Sequence, residues 1–251
     1  MASDHPPLLR VRGLRIGWGD VVIQDGLDFA VRRGEIFGIL GGSGAGKSTL
    51  LRFLIGLEAP LAGEITFAGR GPLRLDDALP PFGVMFQGGA LFGSMTVAEN
   101  VALPLEEHTS LPPDAIAAIA RAKLRLVGLE AAADKLPSEL SGGMRKRAAI
   151  ARALALEPEL VFLDEPSAGL DPITSAELDD LIVTLNRALG LTVVVVTHEL
   201  ESVFTIAHRV IVLDKQAKTA IAEGGPQELR ASPDPRVSDF FNRRPHRTAA
   251  T

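Results

Sequence analysis

The sequence contains no cysteine, which excludes disulfide bonds and thiolate catalysis and agrees with a reducing compartment. It also lacks the basic excess that is typical of nucleic-acid-binding proteins, because 26 lysines and arginines face 31 aspartates and glutamates and the net charge is -5. The most apolar segment, LTVVVVT from Leu191, is far shorter than the roughly 20 residues of a membrane-spanning helix. We therefore expect no nucleic-acid partner, and a membrane role only through another protein.

The N-terminal residues also lack the features of a secretory signal, since MASDHPPLLRVR contains an early acid, two prolines and no apolar segment. The remaining composition, with 251 residues of which 46% are hydrophobic and 23% charged, is that of a globular protein that can bury a large core.

The pattern of apolar and polar residues changes along the chain. Short β-branched segments open it and predict an antiparallel sheet, with a hairpin turn at Gly17 to Asp20. From Glu35 onward, fully apolar strands alternate with helices, which indicates a buried parallel sheet. Between Thr96 and Pro137 the spacing is helical, which predicts a helical insert. After Pro233 the periodicity is lost, and we expect an extended or mobile tail.

One glycine-rich segment has the form of a phosphate-binding loop. GGSGAGKS, from Gly41 to Ser48, matches GxxxxGK(S/T) between the apolar strand EIFGIL and a helix, which is the context that the motif requires. Its backbone amides can surround phosphates, Lys47 can reach the β- and γ-phosphates, and the Ser48 hydroxyl can bind Mg²⁺. The alternative is a plain glycine-rich turn with a surface lysine. The candidate nucleotide-binding residues here are Gly41, Gly42, Ser43, Gly44, Ala45, Gly46, Lys47, Ser48 and Thr49.

Polar residues follow three other apolar strands, at the strand ends where open α/β sheets place ligand groups. Asp164 and Glu165 end LVFLDE, where Asp164 can hold Mg²⁺ and Glu165 can orient the attacking water. His198 ends VVVVTHE and could contact the γ-phosphate, and Gln87 follows GVMF. Taken alone, the two carboxylates could be solvated and the histidine could be structural.

A second anion site is predicted in SELSGGMRKRAAIARALA, from Ser138 to Ala155. The segment from Met144 is a good helix former, yet the helix opens on Ser141, Gly142 and Gly143 with bare backbone amides where a capping side chain usually dominates. Bare amides at a helix N-terminus attract an anion. The alternative is a helix that merely begins with glycine.

Taken in order, the phosphate loop, Gln87, LSGGM, LVFLDEP, SAGLD and His198 resemble the ATPase subunit of an ABC transporter over nearly the whole chain. The resemblance implies an α/β fold, with a P-loop (RecA-like) ABC ATPase core, an N-terminal antiparallel β subdomain and a helical insert subdomain. It assigns 1–87 and 157–230 to the core with its β subdomain, 88–156 to the helical subdomain and 231–251 to a C-terminal tail.

The resemblance also implies ATP and Mg²⁺ as cofactors. Gln87, Glu165 and His198 would be catalytic, Gln87 would contact the metal together with Ser48 and Asp164, and SAGLD would be the D-loop. Trp18 would stack on adenine, although a lone Trp beside a hairpin can equally be packing. Two copies would face head to tail, so that Ser141, Gly142 and Gly143 of one copy bind the γ-phosphate of the ATP held by the other.

In this family LSGGM is the signature motif, and its commonest form ends in Gln where this chain has Met144. The chain is similar to the ATPase of Mla-type and mammalian-cell-entry-type lipid transport systems in Met144 and in the flanking strings FQGGALFGSM and SPDPRVSDFF. That likeness implies a peripheral protein on the cytoplasmic face of the inner membrane, driving a lipid transporter. Its partners would be polytopic permease subunits, a lipid-binding mammalian-cell-entry-domain protein and a small accessory protein. The alternative is an ABC ATPase without transport, a scaffold or regulatory module for cell division or iron-sulfur assembly.

Two apolar segments suggest contacts with partners. Leu91 and Phe92 are costly to expose without a partner, and by the same resemblance they would line the cleft that receives a coupling helix of the permease, unless they pack against the helical insert. In the tail, Phe240 and Phe241 would dock on the neighbouring subunit or an accessory protein, unless they are solvated. On that expectation, removing the tail after Pro233 weakens assembly and leaves the melting of the isolated chain almost unchanged.

Overall fold

A computed structural model of the chain describes residues 6–71 and 81–244. The chain divides into two compact units, the first formed by residues 1–73 and 196–251 and the second by residues 74–195. The end of the predicted tail, residues 245–251, lies outside the described residues. Within the described ranges, no helix is both long enough and apolar enough to cross a membrane.

The first unit begins with a three-stranded antiparallel sheet in the order β2-β1-β4. The register of β1 and β2 runs from Leu9 opposite Val31 to Trp18 opposite Val21, so the predicted hairpin turn is confirmed. The third strand of this sheet follows the phosphate loop in sequence and was not predicted. The bounds are β1 Leu9–Trp18, β2 Val21–Val31 and β4 Ala62–Phe67.

The first unit also contains the strand that leads into the phosphate loop. This strand, β3, spans Ile36–Gly41, is buried at every position and pairs in parallel with β8, Arg209–Asp214. The edge strand β9, Thr219–Gly224, pairs antiparallel with β8. The helices of this unit are α1 Lys47–Leu54, α6 Leu200–Ile206, α7 Pro226–Arg230 and α8 Pro235–Phe241.

In its described part, from residue 81 onward, the second unit combines three strands, in the order β5-β6-β7, with four α-helices. The first two strands are parallel, with Phe82 opposite Leu160 and Met85 opposite Leu163. The strands are β5 Phe82–Met85, β6 Leu160–Asp164 and β7 Thr192–Val196. The helices are α2 Val97–His108, α3 Pro113–Leu126, α4 Gly142–Ala153 and α5 Pro172–Leu189, with short 3₁₀ helices at Glu130–Ala132 and Pro137–Glu139.

These elements confirm the predicted α/β class, the N-terminal antiparallel sheet, the parallel strands after Glu35 and the helices after Thr96. The two units do not follow the predicted subdomain boundaries at residues 88 and 156, and that division stays a prediction.

The expectation of an extended tail is wrong for its described residues. Residues 235–241 form α8, which begins with the side chain of Asp234 accepting a hydrogen bond from the Arg236 N–H. Phe241 is 3% exposed and belongs to the same apolar cluster as Leu40 of β3 and Val212 of β8. The tail therefore contributes to the core of the first unit, and its sequence looked irregular because a helix of 7 residues is too short to show a period.

Candidate functional site

The phosphate loop joins β3 to α1 in a backbone shape that only glycine fits at two positions. A Cβ on Gly41 would lie 2.6 Å from the carbonyl oxygen of Leu213, and a Cβ on Gly46 would lie 2.6 Å from Cγ2 of Ile23. Gly46 is the N-cap of α1 and has φ 86, in the left-handed region. Among the described residues no side chain caps this helix, so its first amides can bind an anion.

Two side chains hold the loop in place. The Lys47 ammonium donates to the carbonyl oxygens of Gly41 at 2.9 Å and Gly42 at 3.3 Å, which keeps the charge beside the first residues of the loop. Gln24, which is 0% exposed, donates its amide N–H groups to Ala45 O at 2.8 Å and Asp214 O at 3.2 Å. Gln24 was not predicted, because nothing in its local sequence indicates a contact with a loop so distant in the chain.

Trp18, the last residue of β1, is 48% exposed. Its ring centroid lies 6.2 Å from that of Phe53 in α1, with the two planes inclined at 47°. The indole thus packs against the helix that follows the phosphate loop, while about half of its surface is exposed. The contact with Phe53 is packing, and the stacking of Trp18 on adenine stays a prediction.

His198 lies just beyond β7, in the segment that belongs to the first unit. The preceding residue, Thr197, donates its N–H to the carbonyl oxygen of Ile39 in β3 at 3.3 Å, so the chain leaves on the same side as the phosphate loop. The His198 side chain is 56% exposed, and its Nε2 lies 3.7 Å from a carboxylate oxygen of Glu199. An exposed imidazole at a strand end can contact a bound phosphate.

In the second unit, Asp164 is the last residue of β6 and Glu165 follows it, and the two are only 7% and 6% exposed. Glu165 has φ 47, which is uncommon for a residue with a side chain and costs of order 1 kcal/mol or more. Backbone strain of this kind persists only where neighbouring contacts enforce it. Buried carboxylates at a strand end fit the chemistry of Mg²⁺ and of water activation.

Helix α4, which begins within LSGGM and is called the signature helix below, starts against α5. A Cβ on Gly143 would lie 2.5 Å from Cγ2 of Thr174, so this position has room only for glycine. The prediction that no side chain caps α4 is wrong, because Ser141 Oγ accepts a hydrogen bond from the Met144 N–H at 3.2 Å. Ser141 is thus the N-cap of α4.

Gln87 follows β5 and is exposed, in a turn that the Gly89 N–H closes onto Phe86 O at 2.7 Å. Two residues of α4 hold this turn: the Lys146 ammonium donates to Gln87 O, and the Arg152 guanidinium donates to Gly89 O at 2.8 Å and Ala90 O at 2.7 Å. Burial lowers the pKa of Arg152 and is also the main reason that the pKa of Lys146 is lowered. These two residues were not predicted.

The predicted residues thus form two groups, one in each unit. The first unit brings together Trp18, His198 and the phosphate loop, whose uncapped helix and steric need for glycine fit a nucleotide phosphate. The second unit contains Gln87, the start of the signature helix and the buried carboxylates at the end of β6. The acceptor oxygens and the anion-binding amides needed for ATP with Mg²⁺ are both present in the chain.

Comparison with known sequences finds one matching family and a relative that covers most of the chain. A family profile described as ABC transporter matches residues 24–168. The chain is 46% identical over 248 residues to the "Intermembrane phospholipid transport system ATP-binding protein MlaF" of Escherichia coli strain K12, covering 96% of this chain and 91% of that protein.

Solved structures are similar over most of the chain as well. cbiO1 from Clostridium perfringens, described as a component of the ABC transporter complex cbiONQ, superimposes with a TM-score of 0.81 at 30% identity, covering 94% of this chain and 99% of that one. The ATP-binding cassette MJ0796, a dimer bound to ADP and Pi in a post-hydrolysis state, superimposes with a TM-score of 0.76 at 30% identity, covering 86% and 98%.

Proposed function

This chain belongs to the ABC transporter family of ATP-binding proteins, and on that premise we propose that it is the ATP-hydrolysing subunit of a phospholipid transporter. ATP hydrolysis follows from the family. The proposed cargo rests on one observation, the 46% identity, over 96% of the chain, to the ATP-binding protein of an intermembrane phospholipid transport system. The substrate itself would contact other subunits of the transporter.

In the proposed reaction, the amides at the start of α1 and the Lys47 ammonium bind the β- and γ-phosphates. Ser48, Gln87 and Asp164 would hold Mg²⁺, which would supply positive charge to neutralise these phosphates. Glu165 orients and polarises the attacking water, because phosphoryl transfer depends on positioning and charge stabilisation more than on covalent chemistry. His198 donates to the γ-phosphate, and Trp18 stacks on the adenine.

We propose that hydrolysis needs a second copy of the chain, as in the dimeric cassette described above. Ser141 and the amides at the start of α4 would bind the γ-phosphate of the nucleotide held by the other copy. Ser141 is an exposed residue, which supports this use, although its hydroxyl oxygen also caps the helix. A helix N-terminus contributes up to about 2 kcal/mol toward an anion in a partly buried setting.

Mixed dimers of defined composition test the composite site. A Lys47→Ala copy keeps an intact signature helix, and a Ser141→Arg copy keeps an intact phosphate loop, so their dimer contains one sound site and one doubly damaged site. ATP-induced closure, followed by crosslinking across each interface, should occur at the sound site. Crosslinking that instead requires Lys47 and Ser141 intact in the same chain would contradict the arrangement in trans.

The proposed transporter places this chain on the cytoplasmic face of the inner membrane, bound to polytopic permease subunits. Phe92, which is 53% exposed, and the neighbouring Leu91 would contact a coupling helix of the permease. A mammalian-cell-entry-domain protein and a small accessory protein are further proposed partners. The alternative of a scaffold or regulatory ABC ATPase without transport has no comparable observation in its favour.

Purification of the native complex from membranes distinguishes the two functions. We expect a polytopic membrane protein to co-purify with the chain and mass spectrometry to find bound phospholipid above the level of a detergent control. A chain that purifies with division or iron-sulfur assembly proteins and without a permease would support the alternative. A permease complex that carries a water-soluble solute would refute the lipid cargo alone.

A further inference from the structure

A buried lysine links the two loops of the second unit that carry proposed catalytic residues. Lys146 lies in α4 and is 7% exposed. Its ammonium donates to Gln87 O, in the turn after β5, and to Glu165 O at 3.0 Å, just beyond β6. These acceptors lie 59 and 19 residues away in sequence, so one side chain joins three separate segments.

The charge of Lys146 is costly to bury. Desolvation lowers the pKa of its ammonium, and the nearby carboxylates of Asp164 and Glu165 oppose this shift only in part. An apolar side chain of similar length would avoid the desolvation cost. What the ammonium supplies in return is a pair of charge-assisted hydrogen bonds, and both go to the backbone of residues with a proposed role in hydrolysis.

The bond to Glu165 fixes an unusual backbone conformation. Glu165 O accepts from Lys146 and also from the Ala168 N–H at 3.3 Å, while the residue itself has φ 47. The direction of the Glu165 carboxylate depends on this φ, since rotation to the ordinary region would swing the side chain away. Loss of Lys146 would remove the charge-assisted one of these two hydrogen bonds to Glu165 O and so weaken the resistance to that rotation.

The bond to Gln87 acts together with Arg152, which lies on the same helix and holds the next residues of the turn, Gly89 and Ala90. Helix α4 therefore supports the turn at its beginning and its end. Lys146 is the residue that contacts both this turn and the backbone of Glu165.

We propose that Lys146 is a positioning residue for ATP hydrolysis. By binding the backbone carbonyls of Glu165 and Gln87, it fixes the Glu165 carboxylate relative to the Gln87 turn. This inference rests on the proposed role of Glu165. It assigns to the signature helix a function within its own chain, separate from the phosphate contact proposed at its N-terminus.

The test compares Lys146→Met with Lys123→Met in the full-length chain, purified with its membrane partners. Lys123 is a matched control, because it is also buried, at 9% exposure, in the same unit, but donates to the surface carboxylate of Glu157 at 2.8 Å. We expect Lys146→Met to lower kcat by about 10-fold or more through misplacement of Glu165. The KM for ATP should stay within about threefold, because the phosphate loop is unchanged.

Two further measurements exclude a purely structural role. Lys146→Arg keeps the charge and the donors and should recover most of kcat, whereas Lys123→Met should leave kcat near the parent value. Hydrogen exchange at residues 86–90 and 165–168 should rise in Lys146→Met and not in Lys123→Met. If Lys146→Met does not fold, Lys146→Gln replaces it. Its kcat should likewise be lower than that of Lys146→Arg.

The outcomes separate this inference from the proposed function. Glu165→Gln, measured in parallel, should lower turnover by about 100-fold or more, and near-normal hydrolysis in this variant would overturn the role of Glu165 on which the inference rests. If Glu165→Gln is inactive while Lys146→Met, or Lys146→Gln in its place, keeps a kcat equal to that of Lys123→Met, the positioning role of Lys146 is wrong and the proposed function stands.

Discussion

Gly143 and Thr174 are in steric contact at the start of the signature helix, where a Cβ on the glycine would meet Cγ2 of the threonine at 2.5 Å. Gly143→Ala should therefore destabilise the protein by about 1–3 kcal/mol, since the start of α4 cannot move without disturbing α5. Thr174→Ser removes the clashing methyl group and keeps the hydroxyl that donates to Asp171 at 2.6 Å. The double variant should recover both stability in urea unfolding and ATPase activity.

The Thr174→Ser variant alone is the control and should behave as the parent protein. A double variant that is stable but inactive would show that Gly143 is needed for the nucleotide itself, and that packing against Thr174 is not the reason for glycine at this position.

Gln24 should control nucleotide affinity through the phosphate loop. Gln24→Met preserves volume but removes the donors to Ala45 O and Asp214 O, and buried carbonyls without donors cost about 1–3 kcal/mol each. We expect the KM for ATP to rise by about fivefold or more, with kcat less affected. Gln216→Met, at an exposed glutamine, is the control. Equal nucleotide affinity in the two variants would contradict the proposed support of the loop.

The C-terminal helix should contribute to stability, contrary to the expectation from sequence. Phe241 is 3% exposed, and its ring lies 5.9 Å from that of Phe204, so Phe241→Ala should cost about 3–5 kcal/mol in urea unfolding. Phe240→Ala, at a half-buried neighbour, should cost less. Removal of the chain after Pro233 should lower the melting temperature of the isolated protein clearly. An unchanged melting temperature would mean that α8 does not contribute to the core.

Phe92 should be needed for assembly and not for folding. Its ring is 53% exposed, while its N–H and carbonyl oxygen are both bonded to the side chain of Asn100, at 2.7 and 3.1 Å. Phe92→Asp should therefore keep the loop conformation and nucleotide binding but release the chain from membrane partners in co-purification. Leu111→Asp, at another exposed apolar residue of the second unit, should stay assembled. Co-purification of Phe92→Asp at the parent level would refute the coupling role.

The features that could be predicted from sequence are those encoded in short segments. The phosphate loop could be predicted because the residue spacing from Gly41 to Ser48 alone specifies it. The strand before Asp164 could be predicted because it is uniformly apolar. Lys146 and Gln24 could not be found, since their partners lie 59 and 21 residues away and only the folded chain brings them together. The helix at Pro235–Phe241 was missed because tertiary packing of Phe241, rather than a periodic pattern, stabilises it.

The central claim, ATP-driven phospholipid transport, is tested most directly in proteoliposomes that contain the purified complex. Fluorescent phospholipid should move between donor and acceptor membranes only with ATP and Mg²⁺, and Glu165→Gln should bind ATP yet reduce turnover and transfer by about 100-fold or more. Transfer that proceeds equally with Glu165→Gln, or ATP-driven movement of a water-soluble solute without any movement of lipid, would contradict the account.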